Sequence, residues 1–125
     1  MMLVDTSAWI ELFRGTPKGL HIQQLLEAET SNYTSLISIA EISQWAYKNQ
    51  IDANSLLDPL EKQTVYLELN PELLKLAGQK YCELRRTRKT IGLIDTIIYT
   101  TACLHGLTLV TADTDFENLP NVKLV

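Results

Sequence analysis

Two patterns of apolar and polar positions alternate along this chain. Short continuous apolar runs read as strands buried on both faces, and stretches with apolar residues three and four apart read as one-sided helices. Met1 to Val4 is the first strand-like run. Ser7 to Arg14 (Ser-Ala-Trp-Ile-Glu-Leu-Phe-Arg) predicts a helix stopped by Gly15, because glycine enters the left-handed helix-ending conformation at little cost. Leu20 to Ala28 predicts a second helix, with apolar positions 22, 25 and 26. Tyr33 to Ser35 predicts a short strand, Leu36 to Lys48 a third helix, and residues 53–63 a helical segment broken at Pro59. Val65 to Leu69 alternates apolar and polar, as a strand near a sheet edge does. Asn70-Pro71 supplies an N-cap and a proline for the first helical position, and the helix runs to about Thr87 with Leu73, Leu74, Ala77, Tyr81 and Leu84 on one face. Ile94 to His105 predicts a helix stopped by Gly106, Leu107 to Thr111 a buried strand, and Val122 to Val125 a last strand. Such alternation predicts one α/β domain over residues 1–125, built on a central, mainly parallel sheet flanked by helices.

Composition narrows the class. A chain of 125 residues can bury about two-thirds of its unfolded surface, so it needs no staples. No run approaches the roughly 20 apolar residues that span a bilayer, so no membrane is expected. The opening Met-Met-Leu-Val-Asp lacks the basic segment of a secretory leader. Cys82 and Cys103 lack metal-site or redox-motif spacing and are expected to be buried thiols in a reducing cytoplasm. The net charge of −4 argues against a protein that simply wraps nucleic acid. The charge is uneven, however. Residues 75–89 hold six cations against the single acid Glu83, a local net of +5, which leaves −9 elsewhere. Arg85, Arg86, Arg88 and Lys89 form its densest part. They suit either a phosphate backbone or a solvated helix C-terminus.

Four carboxylates fall where carboxylates are costly. Asp5 follows the first strand and Asp113 comes two residues after the strand ending in Thr111. In open α/β sheets ligands bind at such carboxyl ends, near the reversal of strand order. The alternative for Asp5 is an N-cap of the following helix, and for Asp113 the cap of a turn. Glu41 shares its helix face with Ile37 and Trp45, although Ser38-Ile-Ala-Glu41 also fits a capping box. Asp95 has Ile91, Ile98, Tyr99 and Ala102 as helical neighbours, although a first-turn aspartate also suits the helix dipole. Were the four to meet, each pair of charges ~5 Å apart would repel by roughly 3 kcal/mol at an effective dielectric of ~20. Such a cluster takes up protons or a cation. Oxygen donors without nearby His or Cys select a hard ion such as Mg²⁺ or Mn²⁺.

These residues carry a family resemblance. The opening strand with Asp5-Thr6-Ser7, Glu41 in Ser-Ile-Ala-Glu-Ile, Asp95 in Gly-Leu-Ile-Asp-Thr-Ile-Ile-Tyr and Thr-Ala-Asp-Thr-Asp-Phe at 111–116 resemble a PIN domain in order and spacing. Among PIN domains the chain is most similar to the VapC-type toxins of toxin–antitoxin pairs, over nearly its whole length. The resemblance implies a sheet of about five strands and a Mg²⁺-dependent endoribonuclease. It maps the catalytic and metal-binding acids onto Asp5, Glu41, Asp95 and Asp113, with Asp115 as an auxiliary and the hydroxyls of Thr6 and Thr111 beside the metal. It further implies an RNA substrate positioned by residues 85–89, a homodimer, and a cognate VapB-like antitoxin that covers the acidic pocket.

Three other readings compete. A haloacid-dehalogenase-like phosphatase needs a second aspartate where Ser7 stands. A receiver-like domain needs an aspartate ending a later strand, and neither Asp52 nor Asp58 follows an apolar run. A catalytically silent PIN-like module that only binds protein or RNA usually lacks one of the acids, and here all four are present.

Overall fold

The computed structural model describes all 125 residues, Met1–Val125. The elements are β1 (Met2–Val4), α1 (Thr6–Arg14), α2 (Pro17–Ala28), β2 (Asn32–Ser35), α3 (Ile37–Lys48), α4 (Ala53–Glu61), β3 (Val65–Leu67), α5 (Pro71–Arg85), α6 (Leu93–Leu104), β4 (Thr108–Thr111) and β5 (Val122–Leu124), with a 3₁₀ turn at Thr114–Phe116. The five strands pair entirely in parallel, in the order β3-β2-β1-β4-β5. Strand order therefore reverses beside β1, where it pairs with β4 through Met2–Thr108, Leu3–Leu109 and Val4–Val110. The edge position expected for the strand at Val65 is where β3 lies.

Side chains along a strand point alternately to its two faces, and both faces of β1 and β4 are covered. Met2, Val4 and Val110 pack on one side with Ala8, Trp9, Ile22 and Ile42. Leu3 and Leu109 pack on the other with Ile98, Tyr99, Ala102 and Phe116. This two-sided burial explains the unbroken apolar runs. Trp9 is fully buried, and its indole N–H donates to Thr34 Oγ1 at 3.0 Å, so the polar end of the ring is satisfied inside the core.

Most element ends fall within two or three residues of their sequence-based positions. The second helix starts three residues early, at Pro17, because Thr16 caps it by accepting from the Gly19 amide at 3.0 Å. Its first turn presses against α1: a Cβ at Gly19 would stand 2.2 Å from the Glu11 carbonyl oxygen, so only glycine fits. Pro59 lies inside α4 without ending it. Two burial expectations fail. Cys82 lies on an outward face of α5 and is exposed, and Cys103 is only partly covered; neither is in a disulfide. Leu74, placed on the buried face by periodicity, is 42% exposed. No helix is long and apolar enough to cross a membrane.

Candidate active site

Asp5 occupies the N-cap position of α1, yet its carboxylate caps nothing. The helices that begin after Thr16, Asp52 and Asn70 all use the N-cap side chain. Asp5 instead turns into the sheet end. Its Oδ2 accepts from Ser7 Oγ and from Thr111 Oγ1, both at 2.7 Å. Its Oδ1 is buried with no hydrogen-bond partner. An unsatisfied buried polar atom costs about 1–3 kcal/mol, and more if charged. An incoming proton or cation removes that cost.

The other three acids arrive from separate elements. Glu41, on α3, has Oε1 held by Thr6 Oγ1 at 2.7 Å, and Thr6 Oγ1 lies 2.8 Å from Ser38 Oγ. Ser38 is buried within the first turn of α3 and does not cap it, so the capping-box alternative for Glu41 is not formed. Asp95 stands at the third position of α6, and its Oδ2 accepts from the Gly92 amide at 3.2 Å. The helix-start reading and the site reading both describe it. Asp113 Oδ1 accepts from the Asp115 amide at 2.9 Å and caps the 3₁₀ turn. A pattern results: in each acid one carboxylate oxygen is anchored by the fold and the other makes no hydrogen bond within the protein.

The acids feel one another. Burial raises the Asp5 carboxyl; the Ser7 and Thr111 hydroxyls oppose this, and the charges of Glu41 and Asp113 add to it. Burial also raises Glu41, opposed by the Thr6 hydroxyl and reinforced by Asp95. Asp95 is pushed up to about 6, mainly by burial, then by Asp5, with smaller contributions from Asp113 and Asp115 against the Gly92 hydrogen bond. Mutual repulsion of this kind places the acids near one another at the sheet end.

The donor set is oxygen only. No group of three or more His, Cys, Asp or Glu side chains stands close enough together to hold a metal ion. The buried, unpartnered Oδ1 of Asp5 fits a metal ligand.

A family profile described as PIN domain matches residues 2–122. The chain belongs to the PIN domain family. Ribonuclease VapC11 of Mycobacterium tuberculosis is 29% identical over 127 residues, covering 98% of this chain and 93% of that protein. A toxin–antitoxin complex from Klebsiella pneumoniae contains a chain of the same fold, with TM-score 0.75 and 30% identity over 98% of this chain and 96% of that one. DNA-bound VapBC from Salmonella typhimurium shares the fold with TM-score 0.76 at 22% identity, covering all of this chain and 98% of that one.

In this PIN domain the basic stretch divides. Arg85 Nη1 donates to the Ile91 carbonyl at 3.1 Å, and Arg88 Nη1 to the Asp115 carbonyl at 2.8 Å. Both guanidinium groups therefore brace the loop between α5 and α6. Arg86 and Lys89 are exposed and make no such hydrogen bond. Beside Glu41 a cavity of about 330 Å³ is lined by Ile37, Ala40, Gln44 and the exposed Ile94; Leu36 and Leu93, next to Ile37 and Ile94 in sequence, are exposed as well. A larger cavity of about 500 Å³ lies at the α1–α2 corner and contains no acid.

Sequence reasoning named the four acids, Thr6 and Thr111, but missed Ser7 and Ser38. Both carried a local signal: Ser7 lies two residues after Asp5, within reach of its own turn, and Ser38 lies one helical turn before Glu41 on the same face.

Proposed function

We propose that this chain is a Mg²⁺- or Mn²⁺-dependent endoribonuclease, the toxin of a VapBC-type toxin–antitoxin pair. The observation that carries the reading is Asp5: a buried carboxylate with one unpartnered oxygen, in the field of Glu41, Asp95 and Asp113, where strand order reverses. The 29% identity to Ribonuclease VapC11 and the 30% identity to the chain in the Klebsiella pneumoniae toxin–antitoxin complex support it.

Asp5, Asp95 and Asp113 would hold the cation, with Asp115 as an auxiliary and Thr6 and Thr111 fixing the acids. When bound, the cation supplies a water of lowered pKa and offsets charge on the phosphate. Glu41, raised by burial, takes the proton of the attacking water at Oε2, the oxygen Thr6 leaves free. Water attacks phosphorus and the bond to the 3′ oxygen breaks, leaving a 5′-phosphate and a 3′-hydroxyl. Arg86 and Lys89 meet the RNA backbone without reading sequence. Arg85 and Arg88 contribute to the same positive field while bracing their loop.

The exposed Leu36, Leu93 and Ile94, at the starts of α3 and α6, suit burial against a second copy, giving a homodimer. A VapB-like antitoxin would silence the toxin in the cytoplasm. The test is incubation of structured RNA with Mg²⁺, then with excess EDTA. Cleavage only with Mg²⁺, yielding 5′-phosphate ends, supports the reading. RNA binding without cleavage supports a catalytically silent module instead.

A further inference from the structure

The basic loop between α5 and α6 is hydrogen-bonded to the turn that carries Asp113 and Asp115. Thr90 Oγ1 donates to Asp115 Oδ1, and Arg88 Nη1 donates to the carbonyl of the same residue at 2.8 Å. The Asp115 amide in turn donates to Asp113 Oδ1 at 2.9 Å, and the Asp113 amide to Thr111 Oγ1 at 3.0 Å. Thr111 Oγ1 then donates to Asp5 Oδ2. One hydrogen-bonded chain thus runs from Thr90 to the buried acid. The same loop reaches α6 as well: Arg85 holds the Ile91 carbonyl, and the next amide, Gly92, anchors Asp95.

We infer that Arg88 and Thr90 are positioning residues, which fix the Asp113–Asp115 turn and with it the oxygens that both acids would offer to the cation. The inference rests on the metal-dependent reading above. Thr90 is exposed and Asp115 only partly covered, so their hydrogen bond adds little to fold stability. Its consequence lies in orientation. Asp115 offers two anchor points, a carbonyl and a carboxylate oxygen, and losing either lets the turn carrying two acids rotate. Groups that orient metal ligands typically change metal affinity 10–100-fold when removed.

The test is calorimetric titration of the metal-free full chain with Mn²⁺, with urea unfolding in EDTA alongside. Thr90→Val should weaken Mn²⁺ binding about tenfold or more, with urea stability nearly unchanged. Thr90→Ser keeps the hydroxyl and should restore wild-type affinity. Thr87→Val, in the same loop but without a hydrogen bond to either acid, should change nothing. In an Asp115→Ala background Thr90→Val should have no further effect, since its path to the site is gone. Arg88→Met should act like Thr90→Val. Wild-type affinity in Thr90→Val would overturn this inference and leave the metal site standing. No Mn²⁺ binding by the wild type would overturn the metal-dependent reading, and the inference with it.

Discussion

Thr111 Oγ1 donates to Asp5 Oδ2 at 2.7 Å, so the last residue of β4 fastens the first residue beyond β1. The same hydroxyl accepts from the Asp113 amide at 3.0 Å. A single fully buried threonine therefore sets two acids at once. Thr111→Val keeps the shape and the β-branch but leaves the Asp113 amide and an Asp5 oxygen each short of a partner. The expected loss is about 1–3 kcal/mol in urea unfolding. The Asp5 carboxyl, losing a donor that lowers it, should move further up.

The acids make metal-free stability depend on pH. Asp95 is raised from 3.8 to about 6, so the folded state holds its proton more tightly than the unfolded chain. The stability this contributes is complete below about 4 and lost as pH rises through about 6. In EDTA, wild type should therefore lose ground to Asp95→Asn between these values, and the mutant should have the higher melting temperature at pH 7. Thermal unfolding of both across that range checks it. A difference that stays flat with pH would show that Asp95 is not strained by its neighbours.

Gly19 tests the packing that carries α1. A Cβ there would lie 2.2 Å from the Glu11 carbonyl oxygen and 2.9 Å from Leu12 Cα, both backbone atoms that cannot step aside. Gly19→Ala should cost about 1–3 kcal/mol despite alanine's better helix propensity. Denaturant titration reads this directly, and a stabilised mutant would show that the corner is looser than described.

Arg86 and Lys89 are the exposed cations of the loop. Replacing both with Ala should weaken RNA binding and make it less sensitive to salt. The slope of log K against log salt should become shallower by roughly 0.7 for each phosphate of a single strand that is no longer neutralised. Binding measured at several salt concentrations gives the slope. An unchanged slope would return both residues to a solvated helix end.

Much of this was legible in the sequence for a physical reason. The strands β1 and β4 are buried on both faces, so they show as unbroken apolar runs, and an acid at the end of such a run stands out. Glu41 stands out because burial of its helix face leaves a carboxylate among apolar neighbours. Other features leave no such mark. The 3₁₀ turn at Thr114–Phe116 is too short to show a period. Arg85 and Arg88 read as free cations because their acceptors are carbonyls, which any residue supplies, and the Asp115 carbonyl is 27 positions away from Arg88. The early start of α2 was readable: Thr16-Pro17 carries the same cap-and-proline signature as Asn70-Pro71.

If Asp5 serves the reaction and not the fold, Asp5→Asn separates the two roles. Asparagine keeps the size, can still accept from Ser7 and Thr111, and removes a buried charge that repels Glu41, Asp95 and Asp113. The measurement is cleavage of a labelled RNA in Mg²⁺ by this variant, with its melting temperature in EDTA recorded beside that of wild type. The expected result is a protein at least as stable as wild type that no longer cuts RNA. A variant that cuts RNA at the wild-type rate would contradict it.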